Sequence, residues 1–155
     1  MDLFAELVAV TAAFDSARID YAVCGGIALA IHGAPRATRD IGVMARAADL
    51  ARLREVVRQC GFAIEALPMT FSATGVAIHR FKKIEPDGAT LMLDVLVADG
   101  PLEAVWQTRT RIAVTGAGEV TVVSREGLIS LKLTAGRPQD LVDIQRLQEV
   151  ARGEG

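Results

Sequence analysis

The sequence predicts an α+β fold, a mixed sheet with helices packed on it and a helical pair at the C-terminal end. Over residues 2–59, segments whose apolar side chains have helical spacing alternate with segments whose apolar side chains have strand spacing. Residues 91–97 read LMLDVLV, a nearly continuous apolar strand, and two helical patterns close the chain. Because an apolar sheet face must be covered, we expect the helices to lie against the sheet.

The bulk composition predicts one globular domain over residues 1–155. A chain of 155 residues buries a sizeable core, and its 51% hydrophobic and 23% charged residues are ordinary for such a domain. The net charge of −2 excludes an overall basic field for nucleic acid. Two cysteines, Cys24 and Cys60, are too few for a disulfide framework, and they are interpreted as reduced packing residues.

The sequence contains no pattern typical of a membrane protein. No apolar run approaches the roughly 20 residues that a membrane span requires. The first residues carry acids where a signal peptide needs positive charge. We therefore expect a cytoplasmic protein that has no membrane partner.

The first half of the chain alternates helices and strands. Gly25-Gly26 breaks a short apolar strand, and Gly61 is placed to end a helix. The predicted order is a helix over residues 2–17, a strand over 21–24, a helix over 27–32, a turn at 33–35, a strand over 39–45 and a helix over 47–59.

The second half is predicted to complete the sheet and to add the closing helices. Pro86-Asp87-Gly88 and Gly116-Ala117-Gly118 are turn signals. Ser124 is placed to cap one helix and Pro138 to open the last. The predicted order is strands over 62–65, 76–82 and 91–97, a hairpin of 109–115 and 120–123, a helix over 125–135, and a helix from 138 that carries Leu141, Ile144, Leu147 and Val150 on one face.

Two aspartates are candidates for chemistry because both lie in predicted strands. Side chains alternate along a strand, so Asp40 and residue 42 share a face. Asp94 interrupts an apolar strand, where an unpaired carboxylate is costly to bury. A bound magnesium ion, which prefers carboxylate and phosphate oxygens, is one remedy. A strand end in water or an arginine partner is the alternative.

Four residues between the first two predicted strands, 21–24 and 39–45, are candidates for binding phosphate. Gly25 and Gly26 open a helix, where backbone amides attract anions and missing side chains allow close approach. Arg36 can fork onto phosphate oxygens, and the Thr38 hydroxyl can donate to them. The alternatives are a plain glycine turn and a surface Arg–Asp pair, which would be worth little.

The order of these residues carries a resemblance to a known family. Residues 21–44 read YAVCGGIALAIHGAPRATRDIGVM, and the distant Asp94 follows in its apolar strand. This order resembles the nucleotidyltransferase fold of the polymerase-beta-like superfamily, and most closely the branch of small bacterial proteins related to AbiEii-type toxins. The resemblance implies transfer of NMP from a nucleoside triphosphate to a hydroxyl on RNA, protein or a small molecule. It also implies Mg2+ held by Asp40 and Asp94, triphosphate held by the Gly-Gly loop, and an antitoxin as a possible partner.

The resemblance extends to the C-terminal region, where related proteins carry a Lys and then Arg-x-x-Asp-x-x-Asp. Here Lys132 precedes Arg137, Asp140 and Asp143. Lys132 is a candidate phosphate contact, or else a surface lysine whose stem lies along apolar neighbours. The two aspartates fall in the first turn of the last helix, which favours capping and helix pairing.

Two further groups of polar residues are interpreted as structural. His32 lacks a partner nearby in sequence, which favours a helix-end residue over a general base. Arg80, Lys82 and Lys83 are interpreted as a solvated strand edge, with contact to RNA as the alternative.

Gly42 departs from the family pattern. The second strand there usually reads Asp-x-Asp, whereas here it reads Asp40-Ile41-Gly42. A two-metal site holds cations roughly 4 Å apart and needs bridging anionic ligands, which glycine does not offer. The prediction is therefore NMP transfer impaired at Gly42, with one magnesium rather than two. Three explanations stay open: a natural non-catalytic module that binds nucleotide or a partner, a substituted form of an active enzyme, or another acid, Glu65 or Asp87, in the missing place.

Overall fold

The computed structural model of the protein describes residues 2–71 and 74–153. Its helices are α1 (Leu3–Ser16), α2 (Gly25–Ile31), α3 (Leu50–Gln59), α4 (Glu103–Trp106), α5 (Arg125–Ala135) and α6 (Pro138–Ala151). Its strands are β1 (Ala22–Cys24), β2 (Asp40–Ala45), β3 (Ile64–Glu65), β4 (Met69–Phe71), β5 (Val76–Ile84), β6 (Thr90–Val97), β7 (Thr110–Val114) and β8 (Gly118–Val122). Within the described residues, no helix has both the length and the apolar character needed to cross a membrane.

The strands form one mixed sheet. Its order is β3-β5-β6-β2-β1-β8-β7, and β4 also pairs with β5. The pairs β2–β6 and β1–β8 are parallel, and the others are antiparallel. Parallel neighbours need long crossover connections, so residues far apart in sequence meet at the centre of the sheet.

The registers of four neighbouring strands place one row of residues across this centre. Cys24 pairs with Gly42, Gly42 pairs with Asp94, and Asp94 pairs with Arg80. Directly paired residues lie on the same face of a sheet. We call these four residues the central row.

The opposite face of the sheet contributes to the apolar core. Ile41, Phe81 and Leu93 alternate with the central row and are almost fully buried. They belong to the same core cluster as Leu7 and Phe14 of α1, which contacts both β2 and α3. Burying side chains of this kind contributes about 1.5–3 kcal/mol each. The packing on this face therefore holds the strands in register and leaves the central row for polar groups.

The α+β class, the mixed sheet and the C-terminal helical pair are confirmed. Gly61, at φ +98°, follows the end of α3, a conformation that favours glycine. The Ser124 hydroxyl accepts a hydrogen bond of 2.9 Å from the Gly127 amide and caps α5. Strands β7 and β8 form the predicted hairpin.

Three details differ from the prediction. Strand β4 and helix α4 were not predicted, because three or four residues are too few to show a period. Helix α3 begins at Leu50, after a 3₁₀ turn over Ala47–Asp49. On α6, Ile144 and Leu147 are buried, but Leu141 is 55% exposed, so the buried stripe is narrower than the apolar pattern.

Candidate active site

The sheet brings Asp40 and Asp94 onto neighbouring strands. Asp40 is the first residue of β2, and Asp94 lies in the middle of β6. Gly42 shares a face with Asp40 and pairs directly with Asp94. Both carboxylates therefore project from the same face, two residues apart in register, as the strand phase predicts.

The Asp40 carboxylate lacks the partners that a buried charge normally has. Its Oδ1 atom is buried and has no hydrogen-bond partner among the described residues. Burial raises the pKa of Asp40, and the nearby charge of Asp94 raises it further, although Arg80 and Arg39 act in the opposite direction. Groups in this state are common at functional sites, because binding something else satisfies them.

The Asp94 carboxylate is paired with an arginine. Arg80 Nε donates to Asp94 Oδ1 at 2.7 Å, and Arg80 Nη2 donates to Asp94 Oδ2 at 2.9 Å. This is a bidentate fork, the strongest common geometry for a charged pair. The alternative of an arginine partner for Asp94 is thus the observed arrangement.

Gly42 marks the place where a second carboxylate would stand. A Cβ atom added there would lie 3.1 Å from the Cys24 carbonyl oxygen and 3.5 Å from Cys24 Sγ. An aspartate at position 42 therefore fits only if β1 moves by a few tenths of an ångström. Gly25, at φ +74°, lies beside Gly42, because a Cβ atom added to Gly25 would be 3.9 Å from Gly42 Cα.

Cys24 lies at one end of the central row and is chemically inert. The side chain is buried and carries no disulfide. Burial, assisted by the charge of Asp94, raises the pKa of the Cys24 thiol to about 12. A thiol with this pKa stays protonated at neutral pH and is neither a nucleophile nor a metal ligand.

Three of the five predicted phosphate contacts line one cleft of about 410 Å³. They are Gly26, Arg36 and Thr38, and the N-terminal residues Asp2, Leu3 and Phe4 form another part of its wall. A Cβ added to Gly26 would lie 2.7 Å from both Cβ and Oγ1 of Thr38, so the glycine permits the close contact between α2 and the turn before β2. A larger residue at position 26 would displace Thr38, whatever the role of the α2 amides.

The C-terminal cluster is a second set of charges, made of Arg36, Lys132, Arg137, Asp140 and Asp143. Lys132 Nζ lies 2.8 Å from Asp143 Oδ2 and 3.4 Å from Asp140 Oδ1. Arg36 Nε lies 3.1 Å from Asp143 Oδ1 and thereby ties the turn before β2 to α6. Lys132 is only 6% exposed, so it is not the surface lysine of the alternative interpretation.

The aspartates of the C-terminal cluster are fully satisfied. Burial acts to raise the pKa of Asp143, but donors from Lys132, Gln139 and Arg36 outweigh it and lower the pKa. The pKa of Asp140 is also lowered, because the hydrogen bonds from Arg137 outweigh the effect of burial. Asp140 closes a capping box with the Arg137 backbone amide at 3.1 Å, which confirms the predicted capping role.

The structure places both candidate replacement acids away from the central row. Glu65 pairs with Phe81, on the face opposite Asp94, and its carboxylate accepts a hydrogen bond from Arg54. Asp87 lies in the turn between β5 and β6, where its side chain accepts from the Ala89 amide at 2.9 Å. Neither acid fills the place of the missing carboxylate.

The interpretation of Arg80, Lys82 and Lys83 as a solvated edge is wrong. Strand β5 lies inside the sheet, because β3 and β4 pair along one side of it and β6 along the other. Lys83 Nζ donates to Glu6 of α1 at 2.9 Å. His32, by contrast, is the helix-end residue that was expected, and its Nε2 lies 2.8 Å from the Val123 carbonyl oxygen.

Sequence reasoning missed the Arg80–Asp94 pair, although a signal for it exists. Strands β5 and β6 pair symmetrically about Asp87, and the pair nearest to the turn is Ile84 with Thr90. The predicted turn at Pro86-Asp87-Gly88 therefore sets Arg80 opposite Asp94, since both lie seven residues from Asp87. The Arg36–Asp143 contact has no such signal, because the two residues are separated by most of the chain.

The free donor groups support at most one divalent cation. Asp40 offers a buried oxygen without a partner, but both Asp94 oxygens already bind Arg80. Gly42 offers no ligand, and among the described residues no three His, Cys, Asp or Glu side chains form a group that could hold a metal ion. The two-cation arrangement that the resemblance implies is therefore not supported by the donors present.

Comparisons with known proteins show the same fold. A proposed nucleotidyltransferase from Thermotoga maritima is 11% identical, with a TM-score of 0.66 over 94% of this chain and 92% of that one. ANT(2'')-Ia in complex with adenylyl-2''-tobramycin is 17% identical, with a TM-score of 0.62 over 94% and 86%. The lincomycin-bound lincosamide antibiotic adenylyltransferase LnuA is 14% identical, with a TM-score of 0.61 over 94% and 96%. At these identities the likeness concerns the fold alone.

The sequence itself identifies the family. No curated protein matches the chain at a significant level. The family model described as nucleotidyl transferase AbiEii toxin, type IV TA system, matches residues 7–154. Because this match spans nearly the whole chain, the protein belongs to the AbiEii nucleotidyltransferase toxin family.

Proposed function

We propose that this protein binds a nucleoside triphosphate and transfers its NMP group to a hydroxyl acceptor, at a rate reduced by Gly42. The observation that carries the proposal is the buried Asp40 Oδ1 atom without a partner, on the face that it shares with Asp94. Family membership supports the reaction class. In this reaction the acceptor oxygen bonds to the α-phosphorus, the bond to pyrophosphate breaks, and the acceptor loses its proton.

The residues divide into phosphate contacts and carboxylates. The amides of Gly25 and Gly26 and the side chains of Arg36 and Thr38 hold the triphosphate, since Gly26, Arg36 and Thr38 line one cleft. Lys132 adds positive charge near the Gly-Gly turn, because its charge acts on the neighbouring Cys24. Through Asp143, Lys132 also helps to hold Arg36 in place.

Asp40, together with Asp94, would hold one magnesium ion, which when bound would offset charge on the triphosphate. The protein's own part is to position the reactants. Asp40 lies at the start of β2, directly after the turn that carries Arg36 and Thr38. A nucleotide held by that turn therefore presents its phosphates beside Asp40, which is the orientation that transfer requires.

A second candidate function is nucleotide binding without catalysis, in a protein that acts through a partner such as an antitoxin. The observation that favours it is the central row itself, where Gly42 lacks a carboxylate and Arg80 occupies both oxygens of Asp94. Such a protein would bind nucleotide and label no acceptor.

The test is the restoration of the missing carboxylate by Gly42→Asp. Radiolabelled triphosphates are incubated with pooled RNA or cell extract and either the native chain or the variant. Each 1.4 kcal/mol of transition-state stabilisation is about tenfold in rate, and a metal ligand is worth several kcal/mol, so we expect labelling to rise by about 100-fold or more. Gly42→Asn is the matched control, since it brings the same crowding against Cys24 without the charge.

The outcomes separate the two functions. Labelling that rises with Gly42→Asp but not with Gly42→Asn supports transfer limited by the missing ligand. If both proteins bind nucleotide and neither labels anything, the non-catalytic function replaces our proposal. Equal labelling by the native chain and the Gly42→Asp variant would show that Gly42 does not limit the reaction.

A further inference from the structure

Arg80 occupies a position that changes the charge of the whole site. It lies next to Asp94 in the central row, where its guanidinium group binds both carboxylate oxygens. We propose that Arg80 is a built-in cation at the triphosphate site, so that the protein binds nucleoside triphosphates without a divalent metal. This inference rests on the proposed nucleotide site and concerns how that site handles charge.

The fork fixes the Arg80 charge at the site. Two bonds of 2.7 and 2.9 Å hold the guanidinium on Asp94, and the two residues face each other directly on paired strands. A divalent cation seated on the same carboxylate would meet the positive charge of Arg80 at close range, which is unfavourable. The arginine therefore takes the place that a second cation would need.

The charge balance of the site presents little barrier to an anion. With glycine at position 42, Asp40, Asp94 and Arg80 together carry one net negative charge. Arg39 also acts on Asp40, and it opposes the remaining negative charge. A site with three carboxylates and no arginine would repel a triphosphate unless cations were present. The site observed here does not have that barrier.

Arg80 can contact a ligand while it holds Asp94. The fork uses Nε and Nη2, and Nη1 has no acceptor within the described part of the chain. The Arg80 side chain is 30% exposed, so this remaining amino group is accessible. A guanidinium group has five N–H donors in a fixed plane, which allows it to bind carboxylate and phosphate at once.

The experiment measures nucleotide affinity by calorimetry in EDTA and in magnesium. ATP, GTP, CTP and UTP are titrated one at a time into the native chain and into Arg80→Gln. We expect native affinity in EDTA to stay within about tenfold of that in magnesium. We expect Arg80→Gln to lose about 10- to 100-fold in EDTA, which is the worth of one charge-assisted contact.

Two further variants make the result interpretable. Arg111→Gln is the matched control, since Arg111 also forms ion pairs from a strand but lies on β7, at the far edge of the sheet. If Arg80→Gln does not fold, the double variant Arg80→Gln/Asp94→Asn takes its place. It neutralises both partners and so leaves no unpaired carboxylate. Circular dichroism confirms that each variant is folded.

The result also separates this inference from the proposed function. Binding in EDTA that depends on Arg80 but not on Arg111 supports the built-in cation. Native protein that binds a triphosphate only with magnesium would overturn it and leave the proposed nucleotide site standing. Affinity in EDTA that is the same for the native chain and both Arg80 variants would also overturn it. No binding of any triphosphate in either buffer would overturn the proposed nucleotide site itself.

Discussion

The aspartates of the C-terminal cluster and Asp40 of the candidate active site have opposite surroundings. In the C-terminal cluster, Asp140 and Asp143 are buried, and each of their four oxygens accepts a hydrogen bond or ion pair. In the candidate active site, both Asp94 oxygens bind Arg80, whereas a buried oxygen of Asp40 has no partner among the described residues. The first pair has its pKa values lowered, whereas the pKa of Asp40 is raised.

This difference separates structural acids from candidate functional ones. A buried carboxylate with all its acceptors filled holds elements together, and here it joins α5, α6 and the turn before β2. A buried carboxylate with an empty acceptor costs stability, and proteins commonly retain that cost where a ligand binds. All these aspartates carry the same carboxylate group, so the surroundings of each residue distinguish a structural from a functional role.

The largest expected effect is on stability, from breaking the C-terminal cluster at Lys132. Lys132→Met keeps much of the side-chain volume but leaves Asp143 without its 2.8 Å partner. Removing one partner of a buried ion pair typically costs about 3–5 kcal/mol, and we expect a loss of this size in the free energy of unfolding. The measurement is urea denaturation at pH 7.

Lys82→Met is the control for that experiment, because Lys82 forms no ion pair within the described residues. We expect it to change the free energy of unfolding by less than about 0.5 kcal/mol, because no buried charge loses a partner. Equal losses from the two variants would contradict the interpretation of the cluster as a buried structural unit.

The next effect is a pH dependence of stability that arises from the same cluster. The pKa of Asp143 is lower in the folded chain than its unfolded value of about 3.9. The folded state therefore gains stability from the ionised group above about pH 4, and this gain is lost as pH falls through the folded pKa. We expect urea denaturation between pH 7 and pH 3 to show a steep loss on the acid side.

Asp143→Asn tests the origin of that loss. The variant should be less stable than the native chain at pH 7, but it should lose less stability on acidification because its amide does not titrate. Parallel curves for the two proteins would assign the acid sensitivity to other carboxylates.

The smallest expected effect has the opposite sign and concerns Asp40. Asp40→Asn removes a half-buried charge that Asp94 repels, so the variant should be more stable than the native chain in EDTA at pH 7. A gain of about 1 kcal/mol is typical when a strained functional group is neutralised. Thermal unfolding measures it, and the labelling assay should show lower transfer in the same variant. A loss of stability would mean that Asp40 is structural, like Asp140 and Asp143.

Local sequence patterns predicted most of the fold and the front of the site. The strand before Gly25-Gly26, the helix that Gly25 opens and the turn before Asp40 form within two residues of the predicted positions. The Arg80–Asp94 pair was predictable in principle, because a tight turn sets the register of a hairpin. The prediction failed there because a short basic segment was interpreted as an exposed edge.

The sequence by itself determined the order of elements, the caps at Ser124 and Asp140, and the absence of a carboxylate at position 42. These properties follow from periodicity and side-chain chemistry within a few residues. Only the tertiary structure decided that Gly42 lies between Cys24 and Asp94, and that Asp143 binds both Arg36 and Lys132. The parallel pairing of β2 with β6 and the docking of α6 depend on long crossovers and on the packing of the whole core. No local pattern encodes their register.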